Sequence, residues 1–257
     1  MVVDWYDLLL LCVAAFCAGF VDAIVGGGGL IQLPAALVIL PLFPVQNVIG
    51  SLKIPAFCGT AIAARQYVKK VAMNWKLLVT VCTIAFFASY AGSQVLVVVR
   101  NDFMKPVLLV VLTAVAIYTF IKKDFGQQEA QHLPPGKELQ RGILISVVIG
   151  FYDGFIGPGA GSFLIMAFVI LLGYNFLTAS AHAKMVNLAT NLGSVTLFIV
   201  KGVIIWPVAL PMAAANMLGG FAGAKLAMAK GNKFIRVFFL VVVVAILIRF
   251  SWDVLQN

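Results

Sequence analysis

Two stretches of the chain read almost alike: GFVDAIVGGGGLIQLPAALVIL at residues 19–40 and GFYDGFIGPGAGSFLIMAFVILL at residues 150–172. Each carries Gly-Phe, an aspartate two residues on, a glycine-rich run, and then an apolar stretch with no charge. A shift of 131 positions superimposes them without a gap. Gly19, Phe20 and Asp22 fall on Gly150, Phe151 and Asp153, and Gly26 and Gly28 fall on Gly157 and Gly159. The register persists downstream, where Lys53 meets Lys184, Lys70 meets Lys201, Trp75 meets Trp206, and Gly92 meets Gly223. Apolar coincidences are cheap in a greasy sequence. Shared Asp, Lys, Trp and Gly in one register point to a duplication.

The surroundings of these stretches name the solvent. The 257 residues are 63% hydrophobic and 11% charged, with a mean hydropathy of +1.07. Soluble domains hold about 45–50% apolar and about 25% charged residues, so this chain has more apolar surface than a water-soluble fold of its size can hide. Apolar segments of spanning or near-spanning length run over 6–24, 28–43, 48–68, 75–99 and 103–121, then 142–156, 160–176, 179–200, 204–228 and 234–252. The expected fold is therefore all-α: a polytopic helical membrane protein of about ten segments, with broken helices at the glycine motifs. Several segments are short, and eight full spans with the short ones re-entrant is the other count. The chain divides into a first repeat at 1–122, a cytoplasmic linker at 123–141 containing Pro134 and Pro135, and a second repeat at 142–257. The N-terminal MVVDWYD carries Asp4 and Asp7 where a signal peptide needs positive charge, so the first segment reads as a retained helix.

Loop charge sets the orientation, because cytoplasmic loops collect Lys and Arg. The loop after the third segment holds Arg65, Lys69, Lys70 and Lys76, whereas its counterpart keeps Lys201. After the fourth segment the balance reverses: Arg100 and Lys105 face Lys225, Lys230, Lys233 and Arg236. Positive charge changes sides between the halves, which fits inverted repeats with the N-terminus outside. The net charge of +9 is spread over segment ends; no basic domain or interleaved aromatic patch points to nucleic acid. Cys12, Cys17, Cys58 and Cys82 lie in apolar stretches without a CxxC pair, and no spacing reads as a metal site or calls for a cofactor.

Charged side chains deep in a membrane cost about 2.5–3.5 kcal/mol or more and are kept for pairing or for function. Here they are Asp22, Asp153, Lys53 and Lys184. In HAKMVNLATN from His182, helical spacing puts Lys184, Asn187 and Asn191 on one face as the candidate wall of a substrate path; interhelical hydrogen bonding is the structural alternative. His182 points elsewhere on that helix, toward another one. The glycine runs open helices whose first N–H groups and positive dipole end would face an anion, which makes Gly27, Gly28, Gly29, Gly159, Ala160 and Gly161 candidate substrate contacts. Asp22 and Asp153 have three readings: ion-pair partners for the lysines, caps on the broken helices, or carriers of a coupling proton or cation, a role His182 could share. The run lacks the Lys-Ser/Thr of a P-loop, and no nucleophile–base set or HExxH appears, so an enzyme is disfavoured.

The stretches from Gly19 and from Gly150, together with HAKMVNLATN, resemble the TauE/SafE sulfite exporter family, also called the toluene sulfonate uptake permeases. The resemblance covers nearly the whole chain. It implies a multi-pass carrier of the bacterial inner membrane for sulfite, sulfonates and related organic anions, and the family's His, Lys and Asn pattern matches at His182, Lys184, Asn187 and Asn191. The first half departs from the usual TNKLQ, reading SLKIP from Ser51, so Lys53 stays while Leu52 replaces an Asn and Pro55 a Gln. The function expected is a secondary transporter of small anions working by alternating access, with an anion-selective channel as the alternative.

Overall fold

The computed structural model describes the backbone of residues 3–99 and 134–255; side chains at 135, 232–233 and 235–255 are outside that description. The expected span over 103–121 and most of the expected linker lie outside the described residues. Eight helices are described: α1 Trp5–Val25, α2 Gly29–Ile39, α3 Val45–Val68, α4 Trp75–Val98, α5 Pro135–Phe155, α6 Ala160–Leu172, α7 Phe176–Val200 and α8 Trp206–Leu255. There is no strand among the described residues. The chain is an all-helical, polytopic membrane protein.

Helix length decides what each element can do. α1, α3, α4 and α7 have 21 to 25 residues and the hydropathy of spanning segments. At about 1.5 Å per residue they cover the roughly 30 Å hydrocarbon core. α2 and α6, at 11 and 13 residues, reach only about 16–20 Å. Neither short helix spans the core by itself. α8 runs on from Trp206 but is broken at Gly231, whose φ of 72° and ψ of −163° are non-helical.

Local chemistry sets the boundaries. α1 stops at Gly26, whose φ of 79° is the left-handed C-cap conformation that a side chain resists. The second half uses Gly157 and Gly159, with φ of 92° and 81°, for the same interruption. Asn74 and Asn175 cap α4 and α7 by accepting from the N–H groups of Leu77 and Thr178. α5 begins at Pro135, seven residues before the expected segment, so the end of the expected linker is helix. Proline at the first helical position loses no needed N–H, and it holds the preceding Pro134 extended, with ψ of 138°. Trp75 and Trp206 open their helices half-exposed, where interfacial anchors belong.

Packing sorts the helix ends into two apolar clusters. One gathers the C-terminal end of α1 (Ala23, Ile24, Val25) and of α3 (Ala63, Tyr67), the start of α4 (Leu77, Leu78) and of α7 (Phe176, Ala179), and the body of α6. The other gathers the middle of α1 (Leu11, Ala15), α2 (Leu33, Ala36), the start of α3 (Val45, Val48), the end of α4 (Leu96) and of α7 (Val195, Phe198), and the start of α8 (Val208, Ala209). Between these layers the helices approach through glycine. A Cβ at Gly92 would overlap the Phe151 carbonyl, and one at Gly223 would overlap that of Phe20. α5 thus seats on α4, and α1 on α8.

Candidate functional site

Two ion pairs occupy the zone between the apolar layers, and both cross between the halves. Lys53 Nζ on α3 donates to the Asp153 carboxylate at 2.8 Å and to the Asp153 carbonyl at 2.7 Å. Lys184 Nζ on α7 donates to the Asp22 carboxylate at 3.0 Å and also to the Asp22 carbonyl. Each lysine is the ninth residue of its helix, and each aspartate lies in the last turn before a glycine break. An ion pair can survive here because the lost hydration is replaced by two charge-assisted bonds per lysine. The Asp153 carbonyl lies in the last turn of its helix, where oxygens lose their intrahelical donors, whereas the Asp22 carbonyl accepts from the Gly26 N–H at 2.8 Å as well as from the lysine.

The breaks themselves touch. The Ser162 N–H donates to the Gly26 carbonyl at 3.0 Å, and the Ser162 hydroxyl to the Val25 carbonyl at 2.8 Å. A Cβ on Gly26 would meet the Gly161 backbone, so only glycine allows this approach. The end of α1 and the start of α6 are thereby held together.

Around this junction lies a cavity of about 70 Å3, measured as the space open to the centre of a water-sized group and partly open to the outside. About 10–15 Å3 on that measure holds one water, so a few-atom oxyanion fits. The wall includes Asp22, Gly26, Gly28, Gly29, Gln32, Lys53, Thr60, Asp153, Pro158, Gly159, Gly161, Asn187, Asn191 and Asn216. Of the expected site residues, Gly28, Gly29, Lys53, Gly159, Gly161, Asn187, Asn191, Asp22 and Asp153 are in this wall. Lys184 stands behind Asp22 with 1% of its side chain exposed. Gly27 is outside the wall. So is Ala160, whose N–H is spent on the Gly157 carbonyl at 3.0 Å.

Neither aspartate caps the short helix that follows it: α2 and α6 have no side-chain cap. Both carboxylates turn to the lysines instead, where a full charge competes better than a backbone amide. His182 is remote from the cavity. Its ring accepts from the Asn74 N–H at 3.1 Å, bonds the Thr178 carbonyl at 2.8 Å, and stacks edge-on against Tyr174. Tyr174 donates to Glu138, which also accepts from Asn74. This polar knot ties the start of α4 to the starts of α5 and α7. Burial first, and then the bond to Glu138, push the Tyr174 phenol up from its ordinary range.

Two amide side chains of the wall went unflagged in the sequence. Asn216 of α8 donates to Gln32 of α2 at 3.3 Å, and both residues are 3% exposed. Their repeat counterparts are Ala85 and Phe163, so the register that exposed the other polar positions is silent here. The available signal was a lone amide in an otherwise apolar segment.

Bundled apolar helices, two of them broken at a shared buried polar centre, define a membrane transporter. The family model described as sulfite exporter TauE/SafE matches residues 11–250, and the chain belongs to that family. It is 36% identical to a probable membrane transporter protein of Sinorhizobium sp., over 96% of this chain and 93% of that one. It is 37% identical to one from Haemophilus influenzae over 90% and 89% of the two chains, and 34% identical to one from Escherichia coli over 95% and 89%. No solved structure matches. The chain is a multi-pass transporter of the bacterial inner membrane.

Proposed function

We propose that the protein is a secondary carrier of small anions, with sulfite, sulfonates and related organic acids as its substrate class, and that the anion binds in the cavity between the halves. One observation carries this reading: a net-neutral pair of crossed ion pairs shares its cavity with a ring of amide donors and two helix starts. Asn187, Asn191, Gln32 and Asn216 offer N–H groups. The dipole ends of α2 and α6 add partial positive charge at Gly28, Gly29 and Gly161. Lys53 has used two of its three donors on Asp153, which leaves one for an incoming oxygen.

Alternating access follows if the halves are inverted copies that rock against each other. Supporting that arrangement, α2, α3 and α4 begin 131 positions before α6, α7 and α8. Equivalent ends also fall in opposite apolar layers: the start of α3 lies with the end of α7, and the start of α4 with the end of α8's first part. The family name supplies the sulfur oxyanion class.

The test is a thermal-shift panel on the purified protein with sulfite, methanesulfonate, thiosulfate and acetate. Binding to the native state raises the melting temperature with dose. At least one sulfur oxyanion should do so, and the shift should vanish in an Asn187→Leu/Asn191→Leu variant. A panel with no shift at all would remove this reading.

A further inference from the structure

Two buried polar atoms in the cavity wall stand without a hydrogen-bonding partner among the described residues: Gln32 Nε2 and Asp153 Oδ2. Both side chains belong to residues 3% exposed, and an unmade bond at such depth is costly, most of all for a charged group. The first is a donor lacking an acceptor. The second is a carboxylate oxygen lacking a donor. An oxyanion satisfies Gln32 and leaves Asp153 worse off, because a second negative charge then stands beside it.

From this pairing we infer that the anion is bound together with one proton, and that Asp153 is the residue that holds it. The inference rests on the anion reading of the same cavity. Before binding, Lys53 and Asp153 cancel. Afterwards Lys53, Asp153 and a single-charged anion sum to minus one in a place poor in water. A proton on Asp153 Oδ2 restores neutrality and turns the orphaned acceptor into a donor, while Oδ1 keeps its bond to Lys53. Anion and proton then strengthen each other's binding, and the coupling is reciprocal.

The surroundings single out Asp153 over Asp22. The Asp22 carboxylate has the Thr60 hydroxyl at 3.5 Å besides Lys184 and is 19% exposed, so water can reach it. The charged and titratable groups facing Asp153 are few. α3 brings Lys53; Tyr152 on α5 itself donates to the Pro158 carbonyl; α1 and α7 bring the Asp22–Lys184 pair across the cavity. α6 has no titratable residue. Toward this part of α5, α4 brings Ser93, which donates to the Gly154 carbonyl, and Ser89, whose backbone packs against Gly154.

Methanesulfonate tests this cleanly, since it stays singly charged across the working pH range and any proton taken up belongs to the protein. Calorimetric titration in two buffers of different ionisation enthalpy should show about one proton taken up per anion bound, and affinity should rise about tenfold for each unit of falling pH near neutrality. The infrared difference spectrum of the unaltered protein should gain a protonated-carboxyl band on binding. Asp153→Asn should bind without proton uptake, without the band, and with pH-independent affinity. Binding by the unaltered protein with no proton uptake would overturn the inference while leaving the anion site standing, as would a carboxyl band that persists in Asp153→Asn. If neither methanesulfonate nor any anion of the earlier panel binds, the anion reading falls first and the inference with it.

Discussion

Lys53 and Asp153 lie 100 positions apart, yet the lysine reaches both the carboxylate and the carbonyl oxygen of the aspartate, at 2.8 and 2.7 Å. Lys184 and Asp22 repeat the arrangement with the halves exchanged. Each lysine therefore holds the end of the helix before the other half's glycine break. The pairs join the halves, place charge at the cavity, and order the backbone whose N–H groups an anion would meet.

Breaking one such pair should cost more than removing it. Lys53→Met leaves Asp153 as an uncompensated buried charge, a loss of about 3–5 kcal/mol. The Lys53→Met/Asp153→Asn double variant should melt at a higher temperature than Lys53→Met alone. Equal melting temperatures would mean that the two side chains do not interact.

The glycine contacts give a paired prediction. Gly92→Ala and Gly223→Ala each force a methyl into a carbonyl of the facing helix, and overpacking of this kind costs about 1–3 kcal/mol. Gly136, with nothing within 4 Å of a Cβ, serves as the control: Gly136→Ala should stay within about 0.5 kcal/mol. Melting curves of the three variants in one detergent provide the check.

The knot at the start of α7 predicts a pH dependence. Tyr174 has a folded-state pKa raised above the ordinary 10.0, so its contribution is fully present below about pH 10 and fades as pH rises further toward the folded value. The stability lead of the wild type over Tyr174→Phe should hold at neutral pH and shrink above about pH 10. A lead that grows with alkalinity would contradict the geometry.

Inversion of the halves predicts where labels land. In a background without Cys12, Cys17, Cys58 and Cys82, cysteines at Lys69 and Lys230 should react from the same side of the membrane, and one at Lys201 from the opposite side. Impermeant maleimide on oriented cells reads this directly. Lys69 and Lys230 on opposite faces would refute the inverted arrangement.

Much of the polar centre was legible because its residues recur at a spacing of 131 positions. The 131-residue register showed Asp22, Asp153, Lys53 and Lys184 as related positions, and helical spacing put Asn187 and Asn191 on one face. Which lysine holds which aspartate was not legible, since spacing along a chain says nothing about how two halves interlock. Gln32 and Asn216 escaped for the opposite reason: they have no counterpart, and their partnership spans 184 positions. The role of Ala160 was misplaced by treating all early N–H groups of a helix as open, when the Gly157 carbonyl takes this one.

Counterflow in proteoliposomes tests the central claim most directly. Vesicles loaded with unlabelled sulfite, or with whichever anion shifts the melting temperature most, should accumulate the labelled form transiently against its gradient. Asn187→Leu/Asn191→Leu protein of unchanged melting temperature should not. Undiminished counterflow in that variant, or large unitary currents without counterflow, would contradict a carrier that binds its anion in the cavity between the halves.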